Sequence, residues 1–190
     1  MTIKKSDYEA LLAEYCSSLG AIALLKQYRS YFEMLPSIRR PEQSLIAIPL
    51  PIVRIRRSDL QLDPLKPTIR TEATRLPCDL VILTCDPQWQ IKLDTEILIF
   101  IHRPEEDFSD LIDRWRQTQV CLDRDYEWLM PSDKQHMFSE AAGQIRPLFV
   151  IFEATSDRIK QGLSGASFPF IVNSLVTNEV SEITSECGDR

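Results

Sequence analysis

Asp79-Leu-Val-Ile-Leu-Thr84, then Cys85-Asp-Pro-Gln88, then Trp89-Gln-Ile-Lys-Leu-Asp-Thr-Glu-Ile-Leu-Ile-Phe-Ile101 is the stretch that decides the fold class. The first run is nearly continuous in apolar residues, the pattern of a strand covered on both faces, and the Asp-Pro pair after it supplies a turn. In the last run Trp89, Ile91 and Leu93 alternate with Gln90, Lys92 and Asp94 before the apolar residues 97–101. It reads as one long strand, Trp89 to Ile101, hairpinned to the first.

Outward from this hairpin, Arg103-Pro104 ends the strand, and Glu105, Glu106 and Asp107 put three carboxylates at the positive end of a helix expected over 108–119. Phe108, Leu111, Ile112 and Trp115 share one side of it. Ser132 or Asp133 can cap a further helix to about residue 145. Leu148-Phe-Val-Ile-Phe152 is a strand, a short helix follows over 156–163, and 168–172 is extended.

On the N-terminal side, Ser6-Asp-Tyr-Glu9 is a capping-box sequence, so a helix is expected to start with Ser6 as its cap. Tyr8, Leu12, Tyr15, Leu19 and Ile22 recur at helical spacing and carry one apolar stripe for about seven turns to Pro36, with Gly20 as the place where the helix would break. Residues 45–57 are extended, but Pro49 and Pro51 confine them to an edge strand or to two short strands around a bulge. Residues 58–77 read as an irregular loop whose length marks it as an interaction region. Together these elements predict an α+β or α/β single domain over residues 1–172. A long N-terminal helix packs on a mixed sheet of four to five strands, with two or three further helices. Residues 173–190 are expected to be a disordered acidic tail.

Composition narrows the function. Among 190 residues there are 5 glycines and 12 prolines, where average usage gives roughly 13 glycines. No G-x-G-x-x-G, Walker A or G-x-S-x-G string occurs, so no nucleotide cofactor is expected. No apolar run reaches the roughly 18 residues of a membrane span and the N-terminus lacks a signal sequence, so a cytoplasmic protein without a membrane partner is expected. The 5 cysteines are scattered without a C-x-x-C pair and read as reduced thiols. Cys78 and Cys85 lack the further ligands of a zinc site, and His102 and His136 are too few for most zinc hydrolases.

The net charge of −6 hides a partition, because residues 36–77 hold 8 basic and 4 acidic side chains whereas residues 78–190 hold 10 and 20. Arg54, Arg56 and Arg57, with Arg39, Arg40, Lys66, Arg70 and Arg75, form a basic series. On a strand Arg54 and Arg56 share a face, so two guanidinium groups would track successive phosphates of RNA or DNA.

Pro77-Cys78-Asp79 followed after the turn by Glu96-Ile97-Leu98 resembles the PD-(D/E)XK class of metal-dependent nucleases. The resemblance implies that Asp79 and Glu96 hold Mg²⁺ against a phosphate while a lysine activates water. Leu98 stands where that lysine belongs, which leaves Lys92 as a migrated substitute. His102 is a candidate base beside Glu105 or Glu106. Gly162-Leu-Ser-Gly165 has the outline of the GXXG loop of KH domains, although a helix-terminating turn explains it better. Three functions are therefore expected: a noncatalytic adaptor or assembly subunit with protein partners and no cofactor, a subunit of a nucleic-acid-handling complex that uses the arginine strip, or a nuclease centred on Asp79 and Glu96.

Overall fold

The computed structural model describes residues 3–58, 69–86, 88, 91–135 and 143–174. In chain order they form α1 (Lys5–Tyr15), α2 (Ser18–Gln27), α3 (Arg29–Phe32), β1 (Leu45–Pro49), β2 (Ile52–Ser58), β3 (Ile69–Arg75), β4 (Leu80–Asp86) and β5 (Ile91–Ile101). There follow α4 (Phe108–Leu122), β6 (Tyr126–Trp128), β7 (Gln144–Phe152), α5 (Asp157–Gly165) and β8 (Phe170–Asn173). The fold is α+β, with a mixed five-stranded sheet ordered β1-β4-β5-β7-β8 and a three-stranded antiparallel sheet ordered β3-β2-β6.

The hairpin forms as its sequence dictates. β4 pairs antiparallel with β5 from Leu80 opposite Ile99 to Asp86 opposite Ile91, with a register shift around Thr84. β5, β7 and β8 then run parallel. The continuous apolar runs have a simple cause, since both faces of this sheet are covered. Leu80, Ile82, Ile97, Ile99, Leu148 and Val150 pack under α1, α2 and α3. Val81, Leu83, Leu98, Phe100, Phe149 and Ile151 pack under α4, α5 and the small sheet.

Several expectations need correction. The N-terminal helix is three helices, because the chain bends by 105° between α1 and α2. The break lies at residues 16 and 17, where Ser17 Oγ accepts the Gly20 N–H at 3.0 Å and caps α2. Gly20 sits in the first turn after the break and permits it: a Cβ there would stand 1.9 Å from the Glu14 carbonyl oxygen. The cap of α1 is Lys4, whose N–H donates to the Asp7 carboxylate at 2.8 Å, and Ser6 lies inside the helix.

Residues 45–57 split between the two sheets. The corner is Leu50, with a left-handed φ of 46°, followed by Pro51. Part of the expected loop is β3, a polar edge strand paired along all of β2, and residues 59–68 lie outside the described residues. Tyr126–Trp128 is a third strand of that sheet. Of the helix expected from Ser132 to about residue 145, Ser132–Lys134 form a single 3-10 turn, residues 136–142 lie outside the described residues, and Gln144 and Ile145 belong to β7. Trp89, His136 and the tail beyond Ser174 also lie outside the described residues, while Asn173, expected in the tail, ends β8. Among the described residues no single helix is long and apolar enough to cross a membrane.

The helical layer is fastened by phenols. Tyr31 OH donates to the Pro147 carbonyl and Tyr15 OH accepts from Asn173 Nδ2, both at 2.8 Å. Burial pushes both phenols from 10.0 up to about 12, helped by Glu14 beside Tyr15 and Tyr28 beside Tyr31.

Two outcomes follow. Gly20→Ala is expected to cost about 1–3 kcal/mol, because a methyl group there must displace backbone, and thermal melting reads this directly. An acid kept protonated by the fold stabilises it below its unfolded pKa and ceases to do so as pH climbs through its folded value. Stability should therefore hold to pH 10 and fall between pH 10 and about 12, with these two phenols ionising late in a tyrosinate absorbance titration.

Candidate functional site

Asp79 precedes β4 and continues its ladder, its N–H donating to Ile99 O at 2.9 Å and its C=O accepting from Leu50 N at 2.8 Å. Its side chain then does what further strand would do: Oδ2 accepts the Ile101 N–H at 2.7 Å. The same carboxylate, fully buried, accepts from Tyr8 OH at 2.8 Å, from Arg103 Nη2 at 2.7 Å and from Arg114 Nη2. A buried carboxylate needs such a set, because each unsatisfied lone pair in the interior is costly.

Arg114 is the second centre of this cluster. It projects from the buried side of α4, and its guanidinium reaches three further places: Pro77 O, Ile101 O and the Glu106 carboxylate, each at 3.1 Å. It also lies over the Phe100 ring, 5.6 Å from the centroid. Glu106 in turn accepts the Arg103 N–H at 3.0 Å, in a loop where Glu105 takes a left-handed φ of 64°. Two carboxylates and two guanidinium groups thus face one another, and the charges balance. Burial pulls the Arg103 pKa down, and the adjacent Asp79 charge more than reverses this, leaving it above the ordinary arginine value. Burial and Asp79 together raise Tyr8 to about 12.

His102 closes the cluster from the β7 side. Its Nε2 faces the Glu106 carbonyl at 2.9 Å and its Nδ1 faces Thr155 Oγ1 at 3.0 Å. Thr155 Oγ1 already accepts the Phe152 N–H, so its hydroxyl proton is available to Nδ1, and Nε2 carries the ring proton toward the carbonyl. Both ring nitrogens are engaged in holding loops. The ring is not poised as a base beside Glu105 or Glu106 carboxylates.

Glu96 stands elsewhere. It pairs with Leu83, four residues along β4 from Asp79, which separates the two by roughly 13 Å along the strands. Its buried carboxylate accepts from Tyr126 OH at 2.8 Å and from Trp128 Nε1 at 2.6 Å, both on β6. The structure therefore does not gather Asp79 and Glu96 round one cation, as the nuclease arrangement requires. Lys92 lies across from Cys85, at the opposite end of β5 from Asp79's partner Ile101. No group of three or more metal-ligating side chains occurs among the described residues. Cys78 and Cys85 are buried, and burial raises both thiols, so neither has the thiolate character of a nucleophile.

The arginines of the basic series divide. Arg54 is exposed on β2 between buried Val53 and Ile55, and in the backbone register Arg56 stands opposite Thr71 and Arg57 opposite Arg70. Arg39 and Arg40 lie between α3 and β1, lining a concavity of about 580 Å³ with Ser37, Gln43, Asp86 and Gln88. The Gly162–Gly165 segment completes α5, where Gly162 lies against the Phe108 ring.

Sequence reading missed Arg114, Arg103, Tyr8, Tyr126, Trp128 and Thr155 as partners. One signal was available. Leu111, Arg114, Trp115, Thr118 and Leu122 share the buried face of α4, and an arginine on an apolar stripe demands a buried carboxylate to meet it. Compared with protein-family models, curated proteins and solved structures, the chain matches none of them.

Asp79→Asn should cost about 3–5 kcal/mol in chemical denaturation, because it leaves Arg114 buried beside a neutral amide. Since protein donors already surround both carboxylates, Mg²⁺ should leave the melting temperature of the unaltered protein unchanged.

Proposed function

We propose that this chain is a noncatalytic assembly subunit that receives an extended segment of a partner protein along the outer edge of β8. The observation that carries this reading is the use made of the reactive side chains. Asp79 meets four donors, Glu96 accepts from Tyr126 and Trp128, and His102 spends both ring nitrogens on loop backbone and Thr155. Groups bound in this way brace a scaffold.

A scaffold acts through its surface, and β8 supplies an accessible one. Phe149 N donates to Pro169 O and Glu153 N donates to Asn173 O, so the odd-numbered residues of β8 face β7. The N–H and C=O of Phe170 and Val172 point to the outer edge, where they meet no backbone partner among the described residues. Val172 is 44% exposed. From Gln161 to Ser174 the sequence holds no charged residue, so the edge lacks the lysines that ordinarily discourage pairing with another chain. Strand addition draws affinity from main-chain hydrogen bonds and selectivity from alternate side chains.

Val172→Lys places a charge on this exposed position and should leave the melting temperature nearly unchanged. Protein isolated from the cells that make it should carry a partner in fixed stoichiometry by crosslinking and quantitative mass spectrometry, and the variant should lose it. A monomer without a partner, a partner retained by Val172→Lys, or a Mg²⁺-dependent phosphodiesterase activity abolished by Asp79→Asn would each overturn the proposal.

A further inference from the structure

The outward face of the small sheet carries a separate inference. Val53 and Ile55 are buried against the core, so Ile52 and Arg54 alternate onto the opposite side of β2. The register sets Arg75 opposite Ile52, Ala73 opposite Arg54 and Thr71 opposite Arg56. Residues directly opposite in a pleated pair share a face. Arg54 and Arg75 therefore belong to one side of the small sheet, diagonal to one another across β2 and β3, with Glu127 of β6 opposite Arg54.

Arg54 and Arg75 are exposed, and neither forms an ion pair with a described residue. The face stands out because the whole chain is acidic, at −6. Local positive potential on an acidic protein selects for a polyanion. Positions 52 and 54 are roughly 6.7 Å apart along the strand, so Arg75, opposite Ile52, stands one such step from Arg54. Ala73, opposite Arg54, is short and exposed, which leaves room beside the guanidinium group for an extended chain.

We infer that this face binds the phosphate backbone of a single-stranded nucleic acid. Guanidinium groups meet phosphate oxygens in paired hydrogen bonds. The described residues of the face include no aromatic ring, so bases are not stacked and sequence is not read. Binding is thus weakly selective and strongly dependent on salt. The inference concerns a surface other than β8, and it stands or falls independently of the assembly role.

The test is fluorescence anisotropy with a labelled oligouridylate, in low salt and across a salt series. Binding is expected, with log K falling against log salt at a slope of about −1.4, from about −0.7 for each of two phosphates on a single strand. The Arg54→Glu/Arg75→Glu variant should bind at least about tenfold more weakly and with a shallower slope. Arg158→Glu, an exposed change on α5, should bind as the unaltered protein does. Circular dichroism confirms that each variant is folded. Absence of binding at low salt, or equal binding by the double variant, would overturn the inference. So would displacement of the oligonucleotide by polyglutamate at equal charge concentration, which would assign the face to an acidic protein segment.

Discussion

A carboxylate removed entirely from water must be met by donors on every side, and in this protein Asp79 sets that demand. Its two oxygens collect a phenol from α1, a guanidinium from the β5–α4 loop, a second guanidinium from α4, and a backbone amide at the end of β5. Those donors come from both sides of the large sheet. The helical layer of α1 and the layer of α4 lie on opposite faces of that sheet, so the carboxylate makes the position of each depend on the other. Hydrophobic burial supplies most of the driving force for this packing. The charged cluster sets the register in which the layers meet, since a slipped α4 would leave Arg114 and Asp79 buried apart.

Glu96 does the same service for the second sheet. β2 and β6 offer Val53, Ile55, Tyr126 and Trp128 to the core, and apolar contact alone would tolerate some sliding of so small a sheet. Two directional hydrogen bonds, from a phenol and an indole to one buried carboxylate, hold β6 in one place. The ring contact between Tyr126 and Trp128, at 5.6 Å and nearly perpendicular, keeps the two donors side by side.

The large sheet was legible because its strands announce themselves. β4, the apolar half of β5 and the second half of β7 are apolar on both faces, and no helix signal competes there. The same property hides polar function, since the value of Asp79 lies in partners 22, 24, 35 and 71 residues distant in sequence. β3 was illegible for the opposite reason. Thr71-Glu-Ala-Thr74 has neither apolar alternation nor strong turn residues, and β2 makes it a strand by pairing with it. The N-terminal helix misled because a stripe at helical spacing continues through Cys16 and Ser17, although Ser17 caps a new helix. A small polar residue two places after the buried Tyr15 is a weak signal in sequence and a decisive one in space. Asp79 and Glu96 looked like a shared metal site because each opens an apolar run, although Glu96 lies within β5 and pairs with Leu83, four residues along β4 from Asp79.

The bond between Tyr15 and Asn173 spans 158 residues. Tyr15 lies in the helical layer that covers one face of the large sheet and Asn173 ends β8 of that sheet, with Ile171 of β8 buried in the same cluster as Leu11 and Leu25. At about 5–20 residues per second, a ribosome places the second partner roughly 10–30 s after the first. Throughout that interval α1 and α2 have made their apolar faces and the edge of the sheet they cover is still incomplete. The nascent chain must therefore carry its first helices half-clothed for most of its synthesis, and β8, the last of the described strands to emerge, is the one that lets them close.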